Sequence, residues 1–500
     1  MVDDREQARE LEVASWMTSR AERMIETSCA RVFLAGDTAW KVKRPVDFGF
    51  LDYSTVDRRQ WALERELAFN RAAAPDIYRR VGALTRTSSG GLELDGPGER
   101  VEAVLEMRRF DDSAVLAERP WAVDGDLADE LGRAAARSHR DAAIHLAGVG
   151  GGGMVFTIGS NAGLLADLAP RLGRAPVERL ISRTAAALEV ARPLLARRRA
   201  EGFVRRCHGD LHLGNILLEN GRPVFFDCIE FNDELSEIDV LYDLAFLLMD
   251  LDFRRRRDAA VRVLSAWLDE AARDFPDSLR EGVAALPLML SVRAAVRCHV
   301  KAHGGDDAAA RAYLAAALEH LDPAAPRLVA VGGLSGSGKS TFARLVAPGL
   351  GASPGAVVLR TDEIRKRLWG VDPLRPLPPE AYGAAFGARV YERMFREAGQ
   401  LLAAGRAVVL DAVFLREAER DAAGALAARA RVPFQGVWLE ARAEVLRARV
   451  AGRTGDASDA DIAVLDNQLT HDPGEIGWRR IESDAGLEAA AEAIVTGLKA

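Results

Sequence analysis

The chain has 500 residues, 49% hydrophobic and 28% charged, too many for one ordinary core, so two or three globular domains are expected. A formal net charge of -7 argues against a protein that coats nucleic acid. The four cysteines (Cys29, Cys207, Cys228, Cys298) are scattered without a Cys-x-x-Cys pair, which argues against a metal cluster and fits reduced thiols in a cytoplasmic protein.

In chain order, the charged start Val2-Asp3-Asp4-Arg5-Glu6 lacks the apolar region of a signal peptide. No uncharged apolar run reaches the roughly 18 residues of a membrane span, so no membrane partner is expected. Residues 5 to 25 follow a helical pattern. Ala30 to Leu34 and Thr38 to Lys43, around Ala35-Gly36-Asp37, alternate as a β-hairpin that Pro45 ends. Asp57 to Ala73 reads as a charged helix, and Val101 to Met107 as a strand. From about Trp121 the pattern is helical, with a break at Gly150 to Gly153. Strand-like pieces return only at Asn215 to Leu218 and Pro223 to Phe226, around the turn Asn220-Gly221, before helices from about Glu237 to His320. A boundary falls at Asp322 to Pro326. Beyond it, Arg327 to Val331, Ala356 to Leu359, Ala407 to Leu410 and Phe434 to Leu439 are continuous apolar runs spaced by helices, the pattern of a parallel, doubly wound sheet. The proline-rich stretch Pro373 to Pro379 reads as a surface loop.

Two motifs carry chemistry. The first is His208-Gly209-Asp210-Leu211-His212-Leu213-Gly214-Asn215 followed by Asp227. Phosphoryl transfer needs a carboxylate to orient or deprotonate the acceptor hydroxyl, oxygen ligands for Mg²⁺, and a cation on the nucleotide phosphates. Asp210 suits the first task, and Asn215 and Asp227 the second. The spacing is that of the kinase catalytic segments, but His-Gly-Asp replaces His-Arg-Asp and Asp227-Cys228-Ile229 replaces Asp-Phe-Gly, which points away from protein kinases. His208 is expected to orient backbone, and His212 to be structural. Asp239 and Asp243 either bind a cationic acceptor or, the favoured reading, cap a helix or pair with a base. Arg293, Arg297 and Lys301 read as a solvated basic stripe.

With Asp239-Val240-Leu241-Tyr242-Asp243 added, these residues resemble the aminoglycoside phosphotransferase family of small-molecule kinases. The segment Lys43 to Asp52 is similar to that of two-domain proteins described as phosphotransferase plus ATP-binding domain. The resemblance implies a bilobal kinase-like fold over roughly residues 25 to 320. It also implies a strand lysine on the α/β-phosphates and a helix glutamate holding that lysine. Lys41 and Lys43 lie on one face of the strand, with Lys41 preferred; Glu66 is the expected glutamate and Glu64 the second choice. Glu106 and Met107 are expected to mark the hinge beside the adenine.

The second motif, Gly333-Leu334-Ser335-Gly336-Ser337-Gly338-Lys339-Ser340, fits the P-loop template, follows a strand and opens a helix at Thr341. Its backbone N–H groups wrap phosphates, Lys339 reaches the β/γ-phosphates and Ser340 holds Mg²⁺. Asp362 and Arg365 resemble the Asp-x-x-Arg of polynucleotide-kinase-like and zeta-toxin-like P-loop kinases, where the aspartate activates the acceptor hydroxyl and the arginine binds acceptor or phosphate. Asp411 ends a strand resembling Walker B, so that it either reaches Mg²⁺ through water or binds the acceptor. Arg449 and Arg453 read equally as lid arginines and as an exposed basic face, with Thr454 to Ser458 as the lid tip.

The expected architecture is thus multidomain. Residues 1–322 form an α+β bilobal kinase-like domain, with a small lobe at about 25–110 and a helical lobe at about 111–322. Residues 323–500 form an α/β P-loop kinase-like domain with a parallel sheet. The expected function is ATP- and Mg²⁺-dependent phosphorylation of small-molecule hydroxyls at two sites. A regulatory second site, and a nucleic-acid 5′-hydroxyl kinase at the C-terminal site, are the alternatives. Nucleic acid ranks below small molecules because acidic breaks interrupt the basic residues Arg365, Lys366 and Arg367.

Overall fold

A computed structural model of the chain describes residues 4–49, 51–147, 153–453 and 455–499. Most of the predicted glycine break at 150–153, and Thr454 of the predicted lid tip, lie outside the described residues.

The chain divides into two compact units. The first contains residues 1–122, 142–157 and 204–243. It opens with α1 (Asp4–Thr18) and continues with β1 (Arg23–Glu26), β2 (Ala30–Ala35), β3 (Thr38–Lys43), α2 (Val56–Ala73), β4 (Tyr78–Arg86), β5 (Leu92–Leu94) and β6 (Glu99–Arg108). The strands form one antiparallel sheet, ordered β1-β2-β3-β6-β4-β5. The expected helix over 5–25 therefore stops at Thr18, because Arg23–Glu26 pairs with Arg31–Leu34 and strand pairing overrides the local helical pattern. Helix α2 begins at the Thr55 cap, whose side chain accepts from the Arg58 N–H. Its Leu63 packs with Ala39 and Leu105 of the sheet, and the helix lies against β6 and β4.

The same unit holds β7 (Val204–Arg206), β8 (Ile216–Glu219) and β9 (Arg222–Phe225), and later β10 (Glu237–Asp239). β8 and β9 form the expected hairpin, and the left-handed φ of +51° at Asn220 and +74° at Gly221 closes the two-residue turn. The pair β7–β10 was not expected, since each strand is only three residues long and reads as part of a helical run.

The second unit contains residues 123–141, 158–203 and 244–500, so the junction read at 322 falls inside it. Its first helices are α3 (Gly125–Asp141), α4 (Gly153–Leu172, which starts in the first unit) and α5 (Arg174–Ala200). After the short α6 (Asp233–Ser236) of the first unit come α7 (Val240–Phe253), α8 (Arg257–Ala271), α9 (Leu286–His303) and α10 (Asp307–His320). The stretch Asp277–His303 is long and apolar enough to cross a membrane, and 67% of its most apolar 18-residue window is buried inside the protein. Arg293 of α9 is buried under the Phe246 ring at 4.8 Å, not on a solvated stripe; the neighbouring apolar helix supplies a face for the cation.

The P-loop part is β11 (Leu328–Gly333), α11 (Lys339–Val346), β12 (Val357–Arg360), α12 (Thr361–Trp369), α13 (Ala384–Ala403), β13 (Val408–Asp411), α14 (Glu417–Ala430), β14 (Phe434–Glu440), α15 (Ala443–Ala451), α16 (Ile462–Thr470), β15 (Arg479–Glu482) and α17 (Glu488–Lys499). All five strands are parallel, in the order β12-β13-β11-β14-β15. Val329, Val331, Val409 and Val437 form the core against α11 and α17, and Val261 of α8 is buried in that same cluster. An ionic seam continues the contact. Arg367 of α12 meets Asp269 of α8 and Glu397 of α13, and Arg280 reaches Glu397 at 2.8 Å.

Two candidate phosphoryl-transfer sites

In the first unit, β3 carries both lysines toward α2. Lys41 Nζ lies 2.6 Å from Glu66 Oε1 and 2.7 Å from Asp227 Oδ1. Lys43 Nζ lies 2.7 Å from Glu66 Oε2 and 2.6 Å from Glu230 Oε1. One glutamate thus bridges both lysines, while Glu64 accepts only from the amide of Gln60 at the surface. The difference between the lysines is access. Lys41 lines a cavity of about 140 Å³ with Tyr78, Met107, Phe226 and Asp227, whereas Lys43 is 4% exposed and shares Glu230 with the Tyr53 hydroxyl. Burial opposes the charge of Lys41, but Asp227 and Glu66 outweigh it and raise its pKa well above the ordinary lysine value. Met107 reaches this cavity; the side chain of Glu106 instead pairs with Arg79 and Arg80.

The segment after β7 is held by its own polar groups. His208 Nδ1 accepts from the Asp210 N–H at 3.3 Å, which leaves Nε2 to donate to the Phe226 carbonyl at 2.9 Å. Burial lowers the His208 pKa, so the neutral ring that this pattern needs is the stable one. The backbone N–H groups of His208 and Gly209 donate to the Asp243 carboxylate, and Asp239 accepts from the Leu241 N–H. Asp239 caps the start of α7, as the favoured sequence reading has it, whereas Asp243 holds the backbone before Asp210. Gly209 has φ +84°, and a Cβ there would sit 2.8 Å from the Leu235 carbonyl oxygen. Asn215 Nδ2 donates to Asp210 Oδ2 at 3.0 Å, and His212 Nε2 lies 3.4 Å from the same carboxylate oxygen.

Asp227 follows β9 with φ +60°, a strained left-handed conformation for a residue with a Cβ. Two residues that sequence reading missed hold it there. The Tyr78 hydroxyl accepts from the Asp227 N–H at 3.0 Å, and Asn70 Oδ1 accepts from the Cys228 N–H at 2.9 Å. Burial pushes the Asp227 pKa up, Lys41 pulls it down, and Lys41 prevails.

The second site is a cavity of about 750 Å³ at the carboxyl ends of the parallel strands. Gly333, Gly336 and Gly338 have φ of +135°, +82° and +89°, so the loop takes a path that side chains would block. Ser335, Gly336, Gly338, Lys339, Ser340 and Thr341 line the cavity; Ser337 lies buried behind the loop. Lys339 Nζ donates to the Leu334 carbonyl at 2.9 Å, and burial lowers its pKa against the pull of Asp411 and Asp362. Ser340 Oγ donates to Asp411 Oδ2 at 2.6 Å. β12 ends at Arg360, so Asp362 lies in the first turn of α12 rather than on the strand. Asp362 and Arg365 both line the cavity, and Arg365 sits over the Tyr382 ring and donates to the Ala381 carbonyl.

Arg449 and Arg453 also line it; Arg449 donates to the Ser483 hydroxyl at 2.8 Å. Lys366 and Arg367 do not. They are buried in pairs with Asp459 and with Asp269 and Glu397. The Arg360 guanidinium, overlooked in the sequence, contacts Ser340, Glu363, Asp411 and Asp456. Its signal was there: a charge closing the apolar run Val357-Val358-Leu359.

The family model described as "Phosphotransferase enzyme family" matches residues 92–281, and the one described as "AAA domain" matches residues 328–471. Over 448 residues the chain is 35% identical to the uncharacterized protein Rv2004c of Mycobacterium tuberculosis strain H37Rv, across 87% of each chain. The chain belongs to that family. It pairs a kinase-like phosphotransferase domain with a P-loop kinase domain. Among solved structures, the M. tuberculosis APS kinase CysC in complex with AMPPNP and APS matches 35% of this chain and 99% of its own, at 22% identity and TM-score 0.26. A choline/ethanolamine kinase family protein from Mesorhizobium loti matches 63% of this chain and 94% of its own, at 14% identity and TM-score 0.37.

Proposed function

We propose that the protein is a bifunctional ATP-dependent kinase that phosphorylates hydroxyl groups of small molecules at two separate sites. The observation that carries the reading is that each site gathers one lysine and several side-chain oxygens, to which we assign the phosphates, the acceptor hydroxyl and the metal. In the N-terminal site these are Asp210, Lys41, and Asn215 with Asp227. In the C-terminal site they are Asp362, Lys339, and Ser340 with Asp411.

The donor sets suit Mg²⁺, since they are hard oxygens in pairs and the Ser340–Asp411 contact of 2.6 Å already joins one pair. Mg²⁺, when bound, would neutralise charge on the β- and γ-phosphates. In the N-terminal site Lys41 holds the α/β-phosphates, and the cavity behind it, walled by Ile77, Met107 and Phe226, takes the adenine. Asp210 orients the acceptor hydroxyl. Its oxygen attacks the γ-phosphorus, the bond to the ADP oxygen breaks, and the hydroxyl proton passes to the carboxylate. Asp362 has the same part in the C-terminal site, with Arg365 on acceptor or phosphate and Arg449 and Arg453 over the transferring group.

A screen of a metabolite pool with γ-labelled ATP tests the reading. Asp210→Ala and Asp362→Ala should each remove a different labelled product. Loss of one shared product in both variants, or no labelled product from the wild type, refutes two independent kinase activities.

A further inference from the structure

Around Ser340 the charges are unusually dense. Arg360 Nε donates to Asp411 Oδ2 at 3.2 Å, and Nη2 donates to Ser340 Oγ at 3.1 Å. Nη2 also donates to Asp456 Oδ1 at 2.7 Å, and Nη1 to Glu363 Oε1 at 3.2 Å. Arg360 is 6% exposed, and its planar fork spans groups that are far apart in sequence. Two of the four oxygens that it touches, on Ser340 and Asp411, belong to the residues assigned above to the metal.

We propose that Arg360 is a positioning residue that makes divalent-cation loading at the C-terminal site depend on nucleotide. This rests on the assignment of Ser340 and Asp411 as metal ligands. The carboxylates Asp362, Glu363, Asp411 and Asp456 surround Arg360, and by themselves they would attract a free dication. The guanidinium neutralises them and lies against Ser340 and Asp411. A cation arriving alone must displace a fixed positive charge and gains no phosphate oxygens in exchange. A cation arriving with ATP brings those oxygens, and Arg360 keeps Asp456 and Glu363 as anchors when it gives up Asp411. Asp456 follows Arg453 by three residues, so the same guanidinium ties the segment beyond Arg453 to the metal ligands.

The test is Mn²⁺ titration of the full-length, nucleotide-free protein by electron paramagnetic resonance. Arg360→Gln should gain a Mn²⁺ site about tenfold or more tighter than any the wild type shows, since a unit charge a few ångströms away is removed. Adding Asp411→Asn should erase the gained site. Arg360→Lys, which keeps the charge and loses the fork, should fall between wild type and Gln, and it serves where Gln lowers the melting temperature sharply. No gain in either folded variant, or a gain that survives Asp411→Asn, overturns the proposal. The metal assignment is tested separately by Ser340→Ala with ADP present. That change should remove the nucleotide-dependent Mn²⁺ signal of this site, whatever the Arg360 series shows.

Discussion

The two lysines assigned to phosphate are built in opposite ways. Lys41 sits between two carboxylates, Glu66 and Asp227, and its pKa is raised. Lys339 bonds a backbone carbonyl, and burial lowers its pKa. The first site is a lattice of side-chain ion pairs drawn from β3, α2 and the segment after β9. The second is built on one continuous loop, Gly333 to Gly338, that leads into the N-terminus of α11. A lattice places its cation through partners, so removing one charge leaves another unpaired. A loop places its cation through covalent continuity, so its lysine can be removed with little structural cost.

The largest expected effect tests that contrast directly. Lys41→Ala and Lys339→Ala should each abolish nucleotide binding at one site, by about 100-fold or more, and leave the other intact. Isothermal titration of the full-length protein should show one of two binding events lost in each variant. Loss of both events from a single substitution would break the comparison by showing that the sites are not independent.

Next in size is Lys43→Ala. It strips a partner from Glu66 and Glu230, both buried, and should cost about 3–5 kcal/mol of stability. Lys339→Ala leaves a half-buried loop and should cost about 1 kcal/mol or less. Denaturant midpoints measure the difference, and equal losses would contradict the lattice-against-loop distinction.

A third effect concerns the junction at 322. Val261 of α8 lies in the P-loop core and Asp269 holds Arg367 of α12, the helix that also carries Asp362 and Arg365. A fragment beginning at 323 loses both contacts and should be markedly less stable than the same segment in the full chain. Asp269→Ala in the full chain should cost about 2–4 kcal/mol, because Arg367 loses one of its two carboxylate partners and keeps Glu397 and the carbonyl of residue 269. A fragment 323–500 that melts cooperatively near the temperature of the whole chain would refute this coupling.

The same contrast explains what was legible in the sequence. The P-loop, its strand and its helix are contiguous, so Gly333 to Ser340 could be read in order and the apolar runs marked four of the five parallel strands. β15 was missed because Arg479, Arg480 and Glu482 leave it one buried residue, Ile481. In the kinase-like unit the motif His208 to Asn215 was readable for the same reason. The choice between Lys41 and Lys43 was not, because alternation puts both on one face and only tertiary packing opens a cavity at one of them. Tyr78, Asn70 and Glu230 act on the site through backbone N–H groups or a shared carboxylate, and no local pattern marks such partners. β4 hid because Arg79, Arg80 and Arg86 interrupt its alternation.

The smallest expected effect is a pH dependence outside both sites. His320 of α10 is buried, its Nδ1 has no hydrogen-bond partner among the described residues, and burial, with Arg257 and Arg406 nearby, lowers its pKa to about 4. The unfolded chain takes up this proton near pH 6.5, and the folded chain does not until about 4. Stability from this group is therefore fully present above pH 6.5 and declines as the pH falls toward 4, where the loss levels off. By pH 5 the decline should reach about 2 kcal/mol at most. The Asp252 carboxylate beside the ring opposes the shift without overcoming it. His320→Gln should flatten the urea midpoint between pH 7.5 and 5 relative to the wild type. An unchanged slope in that variant would show that other groups carry the acid sensitivity and that His320 is protonated near its ordinary pKa in the folded chain.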